Sequence, residues 1–571
     1  MGVFSKKLFQ GADRVNCTVW HPLFLFTFYI RLKKGGSMLC KVYCACCNGL
    51  EVTTITVEVS VTDGIQFFLV GLPDSAVKES QQRIESTFAV NGFRMPGKRI
   101  TINLAPANIR KEGSAFDVTL AIGILCASGQ LPESVVQTLN SFLILGELAL
   151  DGTLREIPGA LPIIVHAQEQ GFKGCILPSS SAMEGAEIEG ISVFAAETFR
   201  DVIRILLSPE ESADKIVTAK SIEQYEDKGR NTAGQDEEVL NYDFALVKGQ
   251  LQAKRGLEIA AAGGHNIILS GSPGSGKTFM AKCLRGILPP LSKEEAIQTS
   301  KIYSVAGLLA SESGKENHRG GLLKCRPFRS PHHTITVPAL VGGGNKGLPG
   351  EISLAHNGVL FLDEIAEMDR RSIEVLRQPL EDGIVQISRV RGKFFYPARF
   401  MLVAAMNPCP CGHLYDGKGL CNCSSTAIMR YRGKISGPVL DRMDIHLRIR
   451  AVKANELIFR QGVQEESSQT IACRVIAARD IQLKRYKEND ESFFTNAAIP
   501  PSKIAKYCPL GKAEKIFMEN VVSKAGLSAR GYTRVLKIAR TIADLQDRAE
   551  IDINHLAEAV NLRCPEKDEM P

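Results

Sequence analysis

The spacing of apolar residues predicts a mixture of strands and helices in the first third of the chain. Strict alternation over residues 53–61 (TTITVEVSV) is typical of a half-buried strand. Short apolar runs predict further strands at 67–70, 99–104, 142–147 and 174–178. Helical spacing of apolar residues predicts a helix between residues 75 and 90. We therefore expect an α+β domain over residues 38–207.

The pattern changes twice further along the chain. Residues 208–240 are polar, acidic and poor in aromatic residues, a composition that buries too little apolar surface to fold and that predicts a linker. Apolar runs that alternate with glycine-rich loops return over 241–452 and predict an α/β domain. Residues 453–571 carry helical spacing, most clearly at 532–545 and 553–563, which predicts a helical domain.

Residues 1–37 do not fit this organisation. Basic residues flank a greasy run over 23–30 (LFLFTFYI) that is shorter than the roughly 20 residues of a membrane span. The outline is that of a signal peptide, but it lacks a small-residue cleavage site. A third interpretation is that translation begins at Met38, where ordinary alternation starts. We prefer the third, and we expect no membrane partner.

Composition adds limits rather than an identity. A chain of 571 residues divides into about three or four domains, because single cores stop growing near roughly 250–300 residues. The net charge of +7 permits an anionic partner without requiring one. The 16 cysteines are scattered instead of forming a secreted disulfide framework, which favours a cytoplasmic protein.

The clearest chemical motif is a glycine-rich loop between an apolar run and a helical segment. It consists of Gly271, Ser272, Pro273, Gly274, Ser275, Gly276, Lys277 and Thr278, and it follows the pattern G-x-x-x-x-G-K-[ST]. Backbone N–H groups of such a loop bind phosphate oxygens, the lysine reaches the β and γ phosphates, and the hydroxyl ligates Mg²⁺. The motif predicts that the protein binds ATP with Mg²⁺.

A second apolar run, residues 359–362 (VLFL), ends in Asp363 and Glu364. Carboxylates at the carboxyl end of a buried strand lie where open α/β sheets bind their ligands. Asp363 is expected to order Mg²⁺, and Glu364 to polarise the water that attacks the γ-phosphate. Together with the glycine-rich loop, this pair predicts ATP hydrolysis.

Three more polar residues are candidates for the same site. Asn407 follows the apolar run 401–406 and is placed to orient the attacking water. Arg442 suits an arginine finger offered to the ATP of a neighbouring subunit, or it forms a local salt bridge with Asp441 or Asp444. Arg530 is placed to reach back over the nucleotide, whereas Arg534, one turn on, is expected to face solvent.

Residues 383–398 predict a hairpin that turns near Gly392. Arg389, Arg391 and Lys393 would form a basic tip suited to DNA phosphates, and residues 394–396 would either stack on bases or pack inward. The alternative is a hairpin tip that is merely solvated. Basic residues over 318–333 make a second candidate for DNA contact.

Four cysteines follow Asn407 in two pairs, namely Cys409, Cys411, Cys421 and Cys423. Four thiolates are able to close a tetrahedral Zn²⁺ site, although the C-x-C spacing is unusual and His413 could replace one thiol. The alternative is four free reduced cysteines. We expect a structural zinc site with no open coordination position.

Long motifs in a fixed order resemble those of the magnesium-chelatase-like AAA+ family, in its YifB and ComM group. They lie at residues 70–80 (VGLPDSAVKES), 103–106 (NLAP), 110–117 (RKEGSAFD), 271–278, 326–333 (RPFRSPHH), 350–359 (GEISLAHNGV) and 540–545 (RTIADL). The resemblance extends from Met38 to Arg563. It implies that Asn407 is sensor 1, Arg442 the arginine finger and Arg530 sensor 2. It also implies a hexameric ring, in which the hairpin points toward the pore.

The resemblance also concerns the first domain, which is similar to the ribosomal-S5-like fold of the Lon proteolytic domain. Lon-type proteolysis requires a serine nucleophile activated by a lysine. At the position that matches the nucleophile this sequence has Ala115, with Ser114 adjacent. We therefore expect a folded module without protease activity.

The predicted fold is multidomain α/β: an S5/Lon-like α+β domain, a central AAA+ P-loop α/β domain and a C-terminal helical lid. The predicted function, on the family resemblance, is an ATPase ring that remodels DNA by branch migration in recombination and natural transformation. A chelatase-type or chaperone-type motor acting on a protein partner is the alternative. An ATP-dependent Lon-like peptidase is a third.

Overall fold

The structure, a computed structural model, describes residues 39–221, 242–309, 321–344, 347–389, 392–414, 416, 420–450 and 465–563. The predicted extension at 1–37, most of the predicted linker and the boundary near residue 452 lie outside these residues, as does Arg391. The described residues form two compact units, one from 39–44, 54–155 and 196–214, the other from 45–53, 156–195 and the described residues from 215 onward.

The strands of the first two hundred residues are β1 Cys40–Asn48, β2 Glu51–Thr62, β3 Phe67–Val70, β4 Arg99–Ala105, β5 Phe142–Ile144, β6 Glu147–Leu148, β7 Leu154–Arg155, β8 Gly174–Pro178 and β9 Ser192–Ala196. The helices are α1 Ser75–Lys78, α2 Ser80–Asn91, α3 Asp117–Ala127, α4 Glu133–Leu139, α5 Ala160–Glu169, α6 Ser179–Ala182 and α7 Phe199–Leu207.

In the first unit the strands lie in the order β3-β4-β2-β1-β5. Strand β2 pairs with β4 in antiparallel fashion, and its alternating buried residues, Ile55, Val57, Val59 and Val61, confirm the predicted half-buried strand. The predicted strand 142–147 is wrong in one respect. It is interrupted after Ile144, because the N–H of Gly146 donates to the carbonyl of Ala115 at 2.8 Å instead of continuing the ladder.

The predicted linker begins too early. Residues 213–215 form a 3₁₀ turn, and Ile216 forms a bridge with Phe194 of β9. Val217 is buried, and its N–H donates to the carbonyl of Val193 at 2.8 Å. Two apolar residues within an otherwise polar stretch are therefore enough to attach it to the neighbouring sheet.

The strands from residue 242 onward are β10 Ile267–Gly271, β11 Phe328–Arg329, β12 Gly342–Gly343, β13 Leu348–Pro349, β14 Val359–Leu362, β15 Ile384–Arg389, β16 Gly392–Pro397, β17 Met401–Met406 and β18 Ile445–Ile449. The helices up to residue 450 are α8 Leu251–Gly263, α9 Lys277–Cys283, α10 Lys293–Val305, α11 Val337–Val341, α12 Glu351–Leu354, α13 Arg370–Glu374, α14 Arg377–Asp382, α15 Ser425–Arg432 and α16 Gly437–Leu440. The C-terminal helices are α17 Ser468–Lys487, α18 Ile504–Tyr507, α19 Lys512–Ala525, α20 Ala529–Leu545 and α21 Ile553–Arg563.

The centre of the second unit is a parallel sheet in the order β11-β14-β17-β10-β18. Strands β10, β14 and β17 are buried on both faces, which explains why they appear in the sequence as continuous apolar runs. Helices α17, α20 and α21 pack with α8 in one continuous core, and α20 begins at Ser528, whose side chain accepts the N–H of Gly531. The predicted central α/β domain and C-terminal helical domain are confirmed.

One buried histidine makes the central domain sensitive to acid. His356 is 1% exposed, its Nδ1 accepts the N–H of Arg399 at 3.1 Å, and burial lowers its pKa from 6.5 to about 4. Between pH 6.5 and pH 4 the imidazole of His356 is therefore protonated in the unfolded chain and neutral in the folded chain. Stability is complete above pH 6.5 and falls as the pH falls toward 4.

We expect the free energy of unfolding to decrease by about 2 kcal/mol from pH 7.5 to pH 5 through this residue. His356→Asn retains an acceptor for Arg399 and should remove this part of the pH dependence, whatever it costs in packing. Denaturant titrations at the two pH values measure it, with the exposed His332→Asn as control. An undiminished pH dependence in His356→Asn would contradict the assignment.

Candidate functional site

The glycine-rich loop lies between β10 and α9, as the motif requires. Gly274 and Gly276 have φ angles of +73° and +87°, in the left-handed region that favours glycine. A Cβ atom on Gly271 would lie 2.5 Å from the carbonyl oxygen of Ile449, so a larger residue has no space there. The loop thus turns sharply into a helix N-terminus, whose N–H groups favour an anion.

Lys277 is buried, and its ammonium group is held at the loop. Its Nζ donates to the carbonyl oxygens of Gly271 and Ser272, at 2.7 and 2.9 Å, and to Oδ1 of Asn407 at 3.2 Å. Burial lowers the pKa of Lys277, while Asp363 and Glu364 oppose that shift. A charged amine in this position is suited to a phosphate chain that follows the loop.

The predicted magnesium ligands are in contact. The hydroxyl of Thr278 donates to Oδ2 of Asp363 at 2.6 Å, although the two residues lie on different elements, α9 and the end of β14. A hydroxyl and a carboxylate at this distance present adjacent oxygen ligands, which Mg²⁺ prefers. The donor set therefore fits the ion.

Glu364 has an unusual backbone conformation and a partner that the sequence did not reveal. Its φ angle is +49°, in a region that non-glycine residues seldom adopt. Its Oε2 lies 3.3 Å from Nδ1 of His333, and its side chain is 52% exposed. Uncommon backbone angles concentrate at functional sites, so this geometry supports the role predicted for Glu364.

The two predicted arginines share one acceptor. Arg442 is mostly buried; its guanidinium forms an ion pair with Glu381 and donates to the carbonyl of Pro438 at 2.8 Å. Arg530 is 64% exposed and lies 3.9 Å from the other oxygen of Glu381. The carboxylate that holds Arg442 is therefore Glu381, and not Asp441 or Asp444, the two partners of the salt-bridge alternative.

Arg534 does not face solvent as predicted. Its guanidinium forms an ion pair with the buried Asp444 and also donates to the carbonyl of Arg442 at 3.3 Å. Burial would raise the pKa of Asp444, but Arg534 and His265 lower it below its ordinary value. Sequence spacing alone did not find this contact, because Asp444 lies 90 residues away in the chain.

The predicted hairpin is confirmed as β15 and β16, with Arg389 paired to Gly392 at the turn. Phe394 and Tyr396 face inward and are buried, whereas Phe395 is 48% exposed. Arg389 and Lys393 are exposed, and Arg391 lies outside the described residues. The hairpin thus presents one aromatic ring and two described cations to solvent.

The four cysteines converge although they come from two sequence pairs. The Sγ atom of Cys409 lies 3.4 Å from that of Cys411 and 3.7 Å from that of Cys421, and all four sulfurs lie within 4.8 Å of one another. The N–H of His413 lowers the pKa of Cys411 to about 6. His413 itself contacts Asp416 at 2.8 Å. The cluster is able to hold a metal ion with four sulfur ligands.

In the first unit, the serine next to the expected nucleophile position has a carboxylate partner. The hydroxyl of Ser114 donates to Glu147, and the buried Lys111 donates to the carbonyl of Pro106. Ala115 offers no nucleophile. The proton of Ser114 is directed at Glu147, and not at a lysine as in the Ser–Lys pair of Lon-type proteolysis.

Sequence reasoning missed several residues that the fold brings to the nucleotide site. They are His333, Glu381, Asp416 and Arg534. His333 had a signal, since it ends the RPFRSPHH motif, but the basic residues of that motif favoured DNA contact instead. Glu381 and Asp416 are two of the many acidic residues in the sequence, and nothing local distinguishes them.

Three family models match successive segments of this chain. The profile for magnesium chelatase, subunit ChlI, matches residues 243–457, that for subunit ChlI of Mg-chelatase matches 57–181, and that for the ChlI C-terminal region matches 465–563.

Three relatives are similar over almost their whole length. The competence protein ComM of Haemophilus influenzae is 42% identical over 526 residues, which cover 92% of this chain and 97% of ComM. The YifB protein of Salmonella typhimurium is 40% identical over 517 residues, covering 90% of this chain and 95% of YifB. The Escherichia coli YifB protein is 40% identical over 522 residues, covering 90% and 95%. The chain therefore belongs to the magnesium-chelatase-like AAA+ ATPase family, in the group of YifB and ComM.

Proposed function

We propose that the protein is an ATP-driven ring motor that remodels DNA, with branch migration as its reaction. The observation that carries the ATPase part is the convergence of Lys277, Thr278, Asp363, Glu364 and Asn407 at the carboxyl ends of three neighbouring strands. The DNA part rests on the exposed basic hairpin and on the similarity to a protein named for competence.

In the proposed reaction the loop N–H groups and Lys277 hold the phosphates of ATP. Thr278 and Asp363 would hold Mg²⁺, which when bound neutralises charge that develops on the phosphate oxygens. Glu364 accepts a proton from water as the water oxygen bonds to the γ-phosphorus and the bond to the ADP oxygen breaks. Asn407 orients the water and, through Lys277, registers whether the γ-phosphate is present.

A ring explains why two arginines lie at the edge of the site. We propose a hexamer in which Arg442 leaves Glu381 and reaches the ATP of the adjacent subunit, while Arg530 acts on its own subunit's nucleotide. In this exchange the guanidinium of Arg442 leaves one anionic partner, a carboxylate, and gains another, a phosphate, so its ion pairing is largely preserved. Glu381 would then hold both arginines in the absence of nucleotide.

We also assign a structural Zn²⁺ to the cysteine cluster, beside the cofactors ATP and Mg²⁺. The compartment that we propose for the protein is the reducing cytoplasm, since the cysteines in the described part of the chain are free thiols. Separately, no helix among the described residues has the length and apolar character needed to cross a membrane.

The first domain is proposed to be an S5/Lon-like module without protease activity, because Ala115 stands at the nucleophile position.

The test is ATP turnover alone and with single-stranded, duplex and four-way-junction DNA. We expect stimulation by DNA, strongest with branched forms. The double change Arg389→Gln and Lys393→Gln should weaken DNA binding and reduce its salt dependence by about one unit of log–log slope for each phosphate that the hairpin no longer neutralises. Turnover without DNA should be unchanged.

The matched control is Lys512→Gln with Lys515→Gln, which removes the same charge from the exposed face of α19. If both double variants weaken DNA binding equally, the effect is one of net charge and the hairpin assignment is wrong. Brisk turnover that ignores every DNA would replace the DNA motor by a motor acting on a protein partner.

A further inference from the structure

The cysteine cluster lies directly against the phosphate-binding loop. We define the cysteine loop as residues 408–414, 416 and 420–423. Its sulfur separations of 3.4, 3.6 and 3.7 Å are close to the edge of about 3.8 Å that a tetrahedron with 2.3 Å zinc–sulfur bonds requires. They are far longer than the roughly 2.05 Å of a disulfide. The four thiols are therefore spaced for one shared ion.

Two contacts join the cysteine loop to the phosphate-binding loop. The hydroxyl of Ser272 donates to the carboxylate of Asp416. A Cβ atom on Gly412 would lie 2.5 Å from Cδ of Pro273, so the two backbones approach more closely than any larger residue allows. Both contacts come from residues that lie between the two cysteine pairs.

A third connection runs through the chain itself. Cys409 is two residues beyond Asn407, whose Oδ1 accepts from Lys277 at 3.2 Å. The guanidinium of Arg432 donates to the carbonyl of Pro408 at 3.1 Å and fixes the segment between Asn407 and Cys409 from the side of α15. The cysteine loop is thus held at its N-terminal end and in its middle beside groups that would bind ATP.

We propose that one Zn²⁺ bound by Cys409, Cys411, Cys421 and Cys423 fixes the phosphate-binding loop in its ATP-binding form, so that ATP affinity depends on the metal. The proposal rests on the proposed function for its ATP binding. It gives the structural zinc site a second role, which is to control the affinity for ATP.

The physical reason is conformational. Three of the four cysteines are partly exposed, and among the described residues of the loop the buried apolar side chains are those of Pro408 and Cys409. Without a cation the cysteines are thiols that do not cross-link the loop, whereas zinc binds them as thiolates, closes the loop and supplies free energy of folding. Without it, Asp416 and Gly412 leave the phosphate-binding loop, and the apparent ATP affinity is multiplied by the fraction of molecules that keep the binding form.

The experiment uses the full chain and two readouts, zinc content by mass spectrometry and binding of a fluorescent ATP analogue. We expect one zinc per chain. Cys421→Ser should lose the metal and weaken nucleotide binding by about tenfold, the effect expected when about a tenth of the metal-free molecules keep the binding form. Cys473→Ser, an exposed cysteine on α17, is the control and should change neither readout.

A second variant separates the contact from the metal. Gly412→Ala keeps all four ligands but drives a methyl group into Pro273, so zinc should remain while ATP affinity falls by about fivefold or more. Gly92→Ala is matched, because its φ of +82° is close to the +86° of Gly412 and nothing lies within 4 Å of the added methyl. It should bind ATP as the wild type does.

The outcomes are distinct. Absence of zinc, or iron in its place, overturns the metal assignment. ATP affinity that is unchanged in both Cys421→Ser and Gly412→Ala overturns the coupling while the proposed ATPase stands. A wild type that retains one zinc but binds no ATP overturns the proposed function and the coupling together.

Discussion

Glu364→Gln should bind ATP with nearly unchanged affinity and hydrolyse it about 10²- to 10³-fold more slowly, the range that general base catalysis supplies. The amide has the size of the carboxylate but cannot accept the proton of the attacking water. Lys277, Thr278 and Asp363, which would hold the phosphates and Mg²⁺, keep their contacts. The loss should therefore appear in the rate constant and not in binding.

The measurement is hydrolysis within a single turnover, combined with binding of a labelled nucleotide. Glu367→Gln is a matched control: it lies three residues on, is exposed and pairs with Lys434 at 3.1 Å. We expect it to hydrolyse ATP at the wild-type rate. Hydrolysis by Glu364→Gln at more than about a tenth of that rate would place the general base elsewhere.

His333 contacts the carboxylate that is changed in this experiment. Its Nδ1 lies 3.3 Å from the carboxylate of Glu364, and the backbone of Glu364 is in the left-handed region. We expect ATP binding to release this contact, because the proposed water activation requires the carboxylate to turn toward the γ-phosphate.

The parts of the site that sequence predicted are those encoded locally. Buried parallel strands appear as apolar runs, and polar residues directly after such runs lie together at one sheet edge, so Asp363, Glu364 and Asn407 could be placed from spacing alone. The glycine loop could also be predicted from the sequence, because left-handed angles at Gly274 and Gly276 restrict those positions to glycine.

What sequence could not predict are contacts between distant segments. Glu381 meets Arg442 across 61 residues, and Asp416 meets Ser272 across 144 residues. An exposed carboxylate has no periodic signature, and several acids compete for each arginine until the fold brings one of them close. The prediction for Arg534 is wrong for the same reason, since its helical position is compatible with solvent and only the sheet brings Asp444 to it.

Arg442→Ala should reduce hydrolysis by about 10³-fold in the assembled protein, the lower end of what an arginine finger contributes. The ion pair with Glu381 offers a competing explanation, in which Arg442 merely holds α14 in place. Glu381→Gln distinguishes the two. It removes the partner but leaves the arginine, so hydrolysis should be retained if the arginine acts on ATP and should fall if the ion pair itself is needed.

Mixing two inactive variants tests whether the arginine acts on a neighbouring subunit. An Arg442→Ala chain keeps Glu364, and a Glu364→Gln chain keeps Arg442. In a ring assembled from equal amounts, roughly a quarter of the interfaces combine an intact Glu364 site with an intact neighbouring arginine. Activity should therefore return on mixing, in proportion to these interfaces, although each variant alone is inactive. If Arg442 served only its own chain, no interface would regain both groups, and the mixture would remain as inactive as its components.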